Sequence, residues 1–185
     1  MARPVTDAGL LTSLSTVDTV LGEHVSELGH DFVGYRNHVY RVVNLCVTIV
    51  GDRVEFEKIA VAAVFHDLGT WTNKTFDYIV PSVALAREYL TSGAQTQWIP
   101  EIERMIIDHH KITRAAATPD GLVESFRRAD WVDVTRGVRR FGVPRPFIKS
   151  VYETWPSAGF HWRLVQLTLE RFRAHPLTPL PMVRW

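Results

Sequence analysis

The strongest constraint in the chain is an apolar helical segment that ends in two metal-type ligands, Ala62-Ala63-Val64-Phe65-His66-Asp67-Leu68-Gly69. An imidazole and a carboxylate rarely end a buried helix side by side, because each is costly to bury without a partner. With Gly69 expected to stop the helix, the pair can point at one ion from a single turn of backbone. A fold that satisfies this segment must bring further polar groups to the same place.

Apolar spacing elsewhere is helical as well. Upstream, Tyr35, Val39, Val42, Val43, Cys46, Ile49 and Val50 stripe one face of a helix expected over 32–50, which Gly51 stops, and His38 lies beside that stripe. Asp52 and Glu55 form a capping-box pattern opening the next helix, through Phe56, Ile59, Ala62, Ala63 and Phe65. The join is so short that the two helices should pack antiparallel. His38, near the start of one, and His66, at the end of the other, then meet at the same end of the pair.

A preceding helix is expected over about 7–22, with Leu10, Leu11, Leu14, Val17 and Leu21 on its apolar face. Others are expected from about Pro81 to 92, from Pro100 to a close at Asp108-His109-His110-Lys111, and from Leu122 through Asp133. Two more, at about 146–154 and 160–173, lead to a proline-rich tail over 176–181 that should run extended. Thr118-Pro119-Asp120-Gly121 reads as a turn, and 70–76 as a loop in which Trp71, Lys74 and, just beyond, Asp77 are candidate substrate contacts. No stretch alternates as a strand does. The fold class is therefore all-α, one domain over 1–185 with its motif-bearing core at about 32–136 and terminal helices and tail over 146–185.

Composition narrows the classes. With 46% hydrophobic and 22% charged residues and no apolar run near 20 residues, the chain has the make-up of a soluble domain with no membrane span. Its opening Met-Ala-Arg-Pro-Val-Thr-Asp lacks a signal-peptide core, and the single cysteine, Cys46, sits in an apolar stripe, so a cytoplasmic protein with a buried thiol is expected. A net charge of +1 leaves no nucleic-acid footprint; Arg127-Arg128, Arg136 and Arg139-Arg140 are expected on a solvated helix face. Trp71, Trp131 and Trp155 are expected mainly as core, and His24, His30, His161 and His175 as surface or packing residues.

One further anomaly is Asp130, which shares a helix face with Leu122 and Phe126. The ordered set His38, His66-Asp67, His109-His110 and Asp130, in the contexts Arg36-Asn37-His38-Val39, His66-Asp67-Leu68-Gly69, Ile106-Ile107-Asp108-His109-His110 and Arg128-Ala129-Asp130, resembles the HD superfamily of metal-dependent phosphohydrolases. That resemblance implies a helical bundle in which His38, His66, Asp67 and Asp130 hold a divalent ion, with Asp133 as competitor for the last position. Two imidazoles and two carboxylates neutralise a divalent charge and suit Mn, Fe, Co, Ni or Zn. The implied chemistry is hydrolysis of a small phosphate ester or nucleotide-like substrate by a metal-bound water, with Asp108, His109 and His110 as proton-transfer candidates and Arg36 as an anion-binding candidate.

Between Leu68 and Asp108 there is no histidine, so one metal is expected. Thr70 stands where nucleotide monophosphatases of the superfamily carry a glutamate. The segments Thr75-Phe76-Asp77-Tyr78 and Ala84-Leu85-Ala86 are similar to the branch that includes cyanamide hydratase, which implies water addition to a small nitrile-like substrate as the alternative chemistry. A helical binding module with a vestigial site is the non-enzymatic alternative. Expected partners are a small-molecule substrate and, at most, a second copy of the chain as a homodimer.

Overall fold

The computed structural model describes residues 9–51, 55–115, 121–178 and 180–183. They form α1 (Ser15–Glu23), α2 (Val25–Leu28), α3 (Phe32–Val50), α4 (Phe56–Phe65), α5 (Gly69–Thr72), α6 (Ile79–Ser92), α7 (Ile99–Asp108), α8 (Leu122–Val134), α9 (Arg145–Thr154) and α10 (Phe160–Ala174). Among the described residues there is no strand, so the class is all-α. Nor, among the described residues, is any helix long and apolar enough to cross a membrane.

The 19-residue α3 is the axis of the bundle, covered chiefly by α8 and α4 and also by α1 and α9. Its apolar stripe is enclosed from Tyr35 to Cys46 and only half-buried at Ile49 and Val50, with the Cys46 thiol buried as expected. On the far side of α4, α6 and α7 pack on each other and α7 on α8. The main core is one cluster from Leu11 to Phe160 that includes Trp71 and Trp155, and a smaller one joins Tyr78 and Ile79 to Met182. Trp131 is only half-buried.

Three boundaries differ from the periodicity. Leu10, Leu11 and Leu14 are buried as expected, but they precede α1 instead of lying on it. Their backbone is held by side chains of α3: Asn44 accepts from Leu11 N (2.8 Å) and donates to Leu11 O (3.1 Å), and Tyr40 Oη accepts from Leu14 N (2.9 Å). An extended strap with three leucines on one side produces the same spacing as a helix face. Second, α6 starts at Ile79, so Pro81 stands at its third position, where it still has no helical acceptor to satisfy. Third, Gly69 does not stop α4. It opens α5, a single turn inside the expected loop, and its Cα faces the start of α6 so closely that a Cβ would lie 2.6 Å from Tyr78 O. The Asp52 capping box and residues 118–120 of the expected turn lie outside the described residues, as do 7–8; Gly121 caps α8 in extended conformation.

Candidate metal centre

Antiparallel packing of α3 and α4 sets His38 Nε2 2.9 Å from His66 Nε2. Each ring is oriented by its other nitrogen. His38 Nδ1 lies 2.7 Å from Asp133 Oδ2, and His66 Nδ1 2.7 Å from Ala63 O. Carboxylate and carbonyl oxygens only accept, so both Nδ1 atoms carry the proton and both Nε2 atoms turn inward. His109, just past the end of α7, repeats the device, with Nδ1 2.6 Å from Ile106 O. Three buried imidazoles therefore turn Nε2 inward, and those of His38 and His66 stand too close to coexist as bare lone pairs.

Two carboxylates complete the cluster. Asp67 Oδ2 is 3.6 Å from His38 Nε2 and 3.4 Å from His66 Nε2, while Asp67 Oδ1 is 3.3 Å from His109 Nε2. From α8, Asp130 Oδ1 lies 3.7 Å from both His38 Nε2 and His66 Nε2, and its Oδ2 3.4 Å from His110 Nδ1. Asp67 Oδ1 and both Asp130 oxygens are buried without a hydrogen-bond partner among the described residues. Leaving carboxylates in that state costs several kcal/mol each, on the order of 2–5. Ligands held about 2.0–2.2 Å from a first-row ion sit roughly 3.0–3.5 Å apart. From His38 and His66 Nε2 the nearest imidazole and carboxylate atoms lie 2.9–3.7 Å away, which brackets that range.

Electrostatics point the same way. Burial alone would lower the pKa of His66, but Asp67 and Asp130 outweigh it and raise it to about 9. Burial would likewise raise both carboxyls, yet the surrounding imidazoles hold Asp67 well below and Asp130 below the usual carboxylate range. The fold therefore keeps two carboxylates charged in a dry interior, balanced in part by the His66 proton, and a divalent ion between them would take that proton's place. Three overlapping donor sets are close enough to hold an ion: His38–His66–Asp130, His66–Asp67–His109 and His109–His110–Asp130.

Of the proton-transfer candidates, His109 and His110 reach the cluster. Burial, then the His109 charge, lowers His110 to about 4, so it is neutral at pH 7. Asp108 turns away to pair with Arg104 at 2.7 Å. Arg36 is not at the cluster either: it pairs with Asp18 at 2.7 Å and lies over the Tyr40 and Trp155 rings, clamping α1 to α3. Lys74 and Trp71 line a cavity of about 590 Å³ with Thr75, Phe76, Arg163 and Arg171, while Asp77 pairs with Arg171 at 2.8 Å. Trp71 also packs on Tyr35, centroids 4.6 Å apart, and Tyr35 lies 6.2 Å from the His38 ring, so this ring pair stands between cavity and cluster. Arg127 is buried, corrected from a solvated face: Glu124 binds its guanidinium at 2.7 and 2.8 Å and also takes Arg128.

Residue chemistry alone did not reveal the support beneath His38. Asp133, the competitor for the last ligand position, sits on the outer side of His38, where it receives Arg41 Nε at 2.6 Å and Nη2 at 3.0 Å, and Tyr152 Oη at 2.8 Å. Burial would raise the Asp133 carboxyl, but Arg41 and His38 outweigh it and hold it far below the usual range. Arg41 is wholly enclosed and also donates to Trp155 O and Pro156 O, at 3.1 Å each. Phe160, the first residue of α10, stacks on the His38 ring at 4.0 Å. An arginine inside the apolar run of α3, one turn after His38, was the available signal.

Fold and site together define an all-helical bundle with a buried histidine–aspartate cluster suited to a metal ion. Compared with known proteins, the chain matches no family model, no curated protein and no solved structure.

Proposed function

We propose that the protein is a metal-dependent hydrolase of the HD type, with His38, His66, Asp67 and Asp130 holding one divalent ion among Mn, Fe, Co, Ni and Zn. The observation that carries this reading is the convergence of His38 and His66 Nε2, 2.9 Å apart, on two buried carboxylates with unpartnered oxygens. When bound, such an ion supplies Lewis acidity and a water acidic enough to ionise near neutral pH. His109 Nε2, beside Asp67 and 3.4 Å from Tyr78 Oη, is placed to take up a proton, and half-buried His110 marks the rim. Tyr35, Phe126 and Phe160 wall the cluster and exclude bulk water.

The resemblance implies a small phosphate ester or nucleotide-like substrate. A second reading, water addition to a small nitrile-like molecule, draws on four arginines of the helices that carry the cluster. Arg41 is committed to Asp133, Arg104 to Asp108, and Arg127 and Arg128 to Glu124, so each is engaged before an anionic substrate arrives. The experiment assays phosphate release from mono- and diphosphate esters beside hydration of small nitriles, with the metal-loaded protein and Asp67→Ala. Turnover of either class that disappears in Asp67→Ala supports the metal-centred reading and selects the chemistry; turnover that survives the substitution overturns it. A protein that binds no metal is the helical binding module instead.

A further inference from the structure

Helix α10 is 15 residues long, yet Phe160 is its only fully buried side chain. Its inner side is fixed by Leu164 against the core and by two ion pairs, Arg163 with Asp31 at 3.0 Å and Arg171 with Asp77 at 2.8 Å. The opposite side carries Trp162, Val165, Leu169 and Phe172, which are 64%, 45%, 49% and 52% exposed. A helix of this length is marginal in water when packing does not hold it. Four large apolar side chains facing outward add a cost instead of a contact.

We infer that this face is a homodimer interface, on which α10 of one copy packs against α10 of a second copy across a two-fold axis. The spacing of the four residues is three, four and three, the a/d seam of two helices that interlock knobs into holes. Such a seam is complementary to itself, as a two-fold contact requires. Gln166 and Thr168 flank its middle, so no row of one charge sign selects an oppositely charged partner or repels a second copy. The four side chains leave on the order of 400 Å² of apolar surface in water. Pairing two copies removes about twice that, and the covered flanks bring the total to about 1,200 Å², the low end for a specific complex. A reversible dimer of micromolar affinity follows. It is independent of what the metal centre does, because the seam faces away from Phe160 and His38.

Sedimentation equilibrium of the full chain across about 1–100 µM tests it. The expected result is a species of twice the 21.1 kDa chain mass that dissociates on dilution. Leu169→Glu should weaken association at least ~10-fold while leaving far-UV circular dichroism and metal content unchanged. Leu169→Cys, oxidised, should cross-link the two copies through neighbouring seams, which gives a second readout should the glutamate variant fold poorly. A monomer throughout that range, or a dimer that survives Leu169→Glu and yields no Leu169→Cys cross-link, overturns the inference.

Discussion

His38 acts through a chain of contacts that runs away from the cluster. Asp133 fixes its Nδ1 proton, and Arg41 and Tyr152 fix Asp133. Asp133→Asn keeps the shape and removes the charge, so metal affinity should fall roughly 10–100-fold. The newly unpaired Arg41 should cost about 3 kcal/mol of stability as well. Metal titration and a thermal melt of the same sample read the two effects separately. His66 gives a pH prediction. Its pKa in the metal-free fold is raised to about 9, above the usual 6.5 of histidine. The stability tied to that proton is fully present below about 6.5 and is lost as pH rises through about 9. A metal must displace the same proton, so apparent metal affinity should rise up to ~tenfold per pH unit from about 7 to about 9 and then level off. Chelator-treated protein should lose thermal stability over the same window while metal affinity grows. A flat affinity profile would remove His66 from the ligand set.

At the scale of elements, the site depends on how tightly α5 meets α6. The Gly69 Cβ position lies 2.6 Å from Tyr78 O and 2.9 Å from both Pro81 Cβ and Ser82 N, and two of those three neighbours are backbone atoms. Gly69→Ala must push the helices apart, at a cost of about 2–3 kcal/mol. Because Asp67 is two residues away, metal occupancy should drop with stability. Gly22→Ala is the matched control: no atom lies within 4 Å of its Cβ position, and it should stabilise α1 by up to about 1 kcal/mol. Thermal melts and metal analysis of the two variants compare them directly. Periodicity located α3, α4, α7 and α8 because each carries a continuous apolar face. It placed a helix at 10–14 because a strap pinned by Asn44 and Tyr40 buries leucines at the same intervals. Local spacing records which residues are buried and not what backbone carries them.

For the whole molecule, four helices converge on one point, so an ion there ties α3, α4, α8 and the end of α7 together. Ligand at ~1,000 times its Kd stabilises by about 4 kcal/mol, or roughly 10 °C in Tm for a chain of this size. Removing metal by chelation should lower Tm by about that much, and Asp67→Ala should be indifferent to chelator in differential scanning calorimetry. The sequence by itself determined the helical class, the antiparallel pairing that joins His38 to His66, and Asp130 as an aspartate on an apolar face, because burial and helical period are local properties of the chain. Only the tertiary structure decided that Arg36 and Asp108 belong to other ion pairs, and that Asp133 binds the outer nitrogen of His38 and the Arg41 guanidinium. Asp130 and Asp133 are one helical turn apart and chemically identical. They differ only in whether an arginine or a group of imidazoles packs against them, and distant parts of the chain supply that contact.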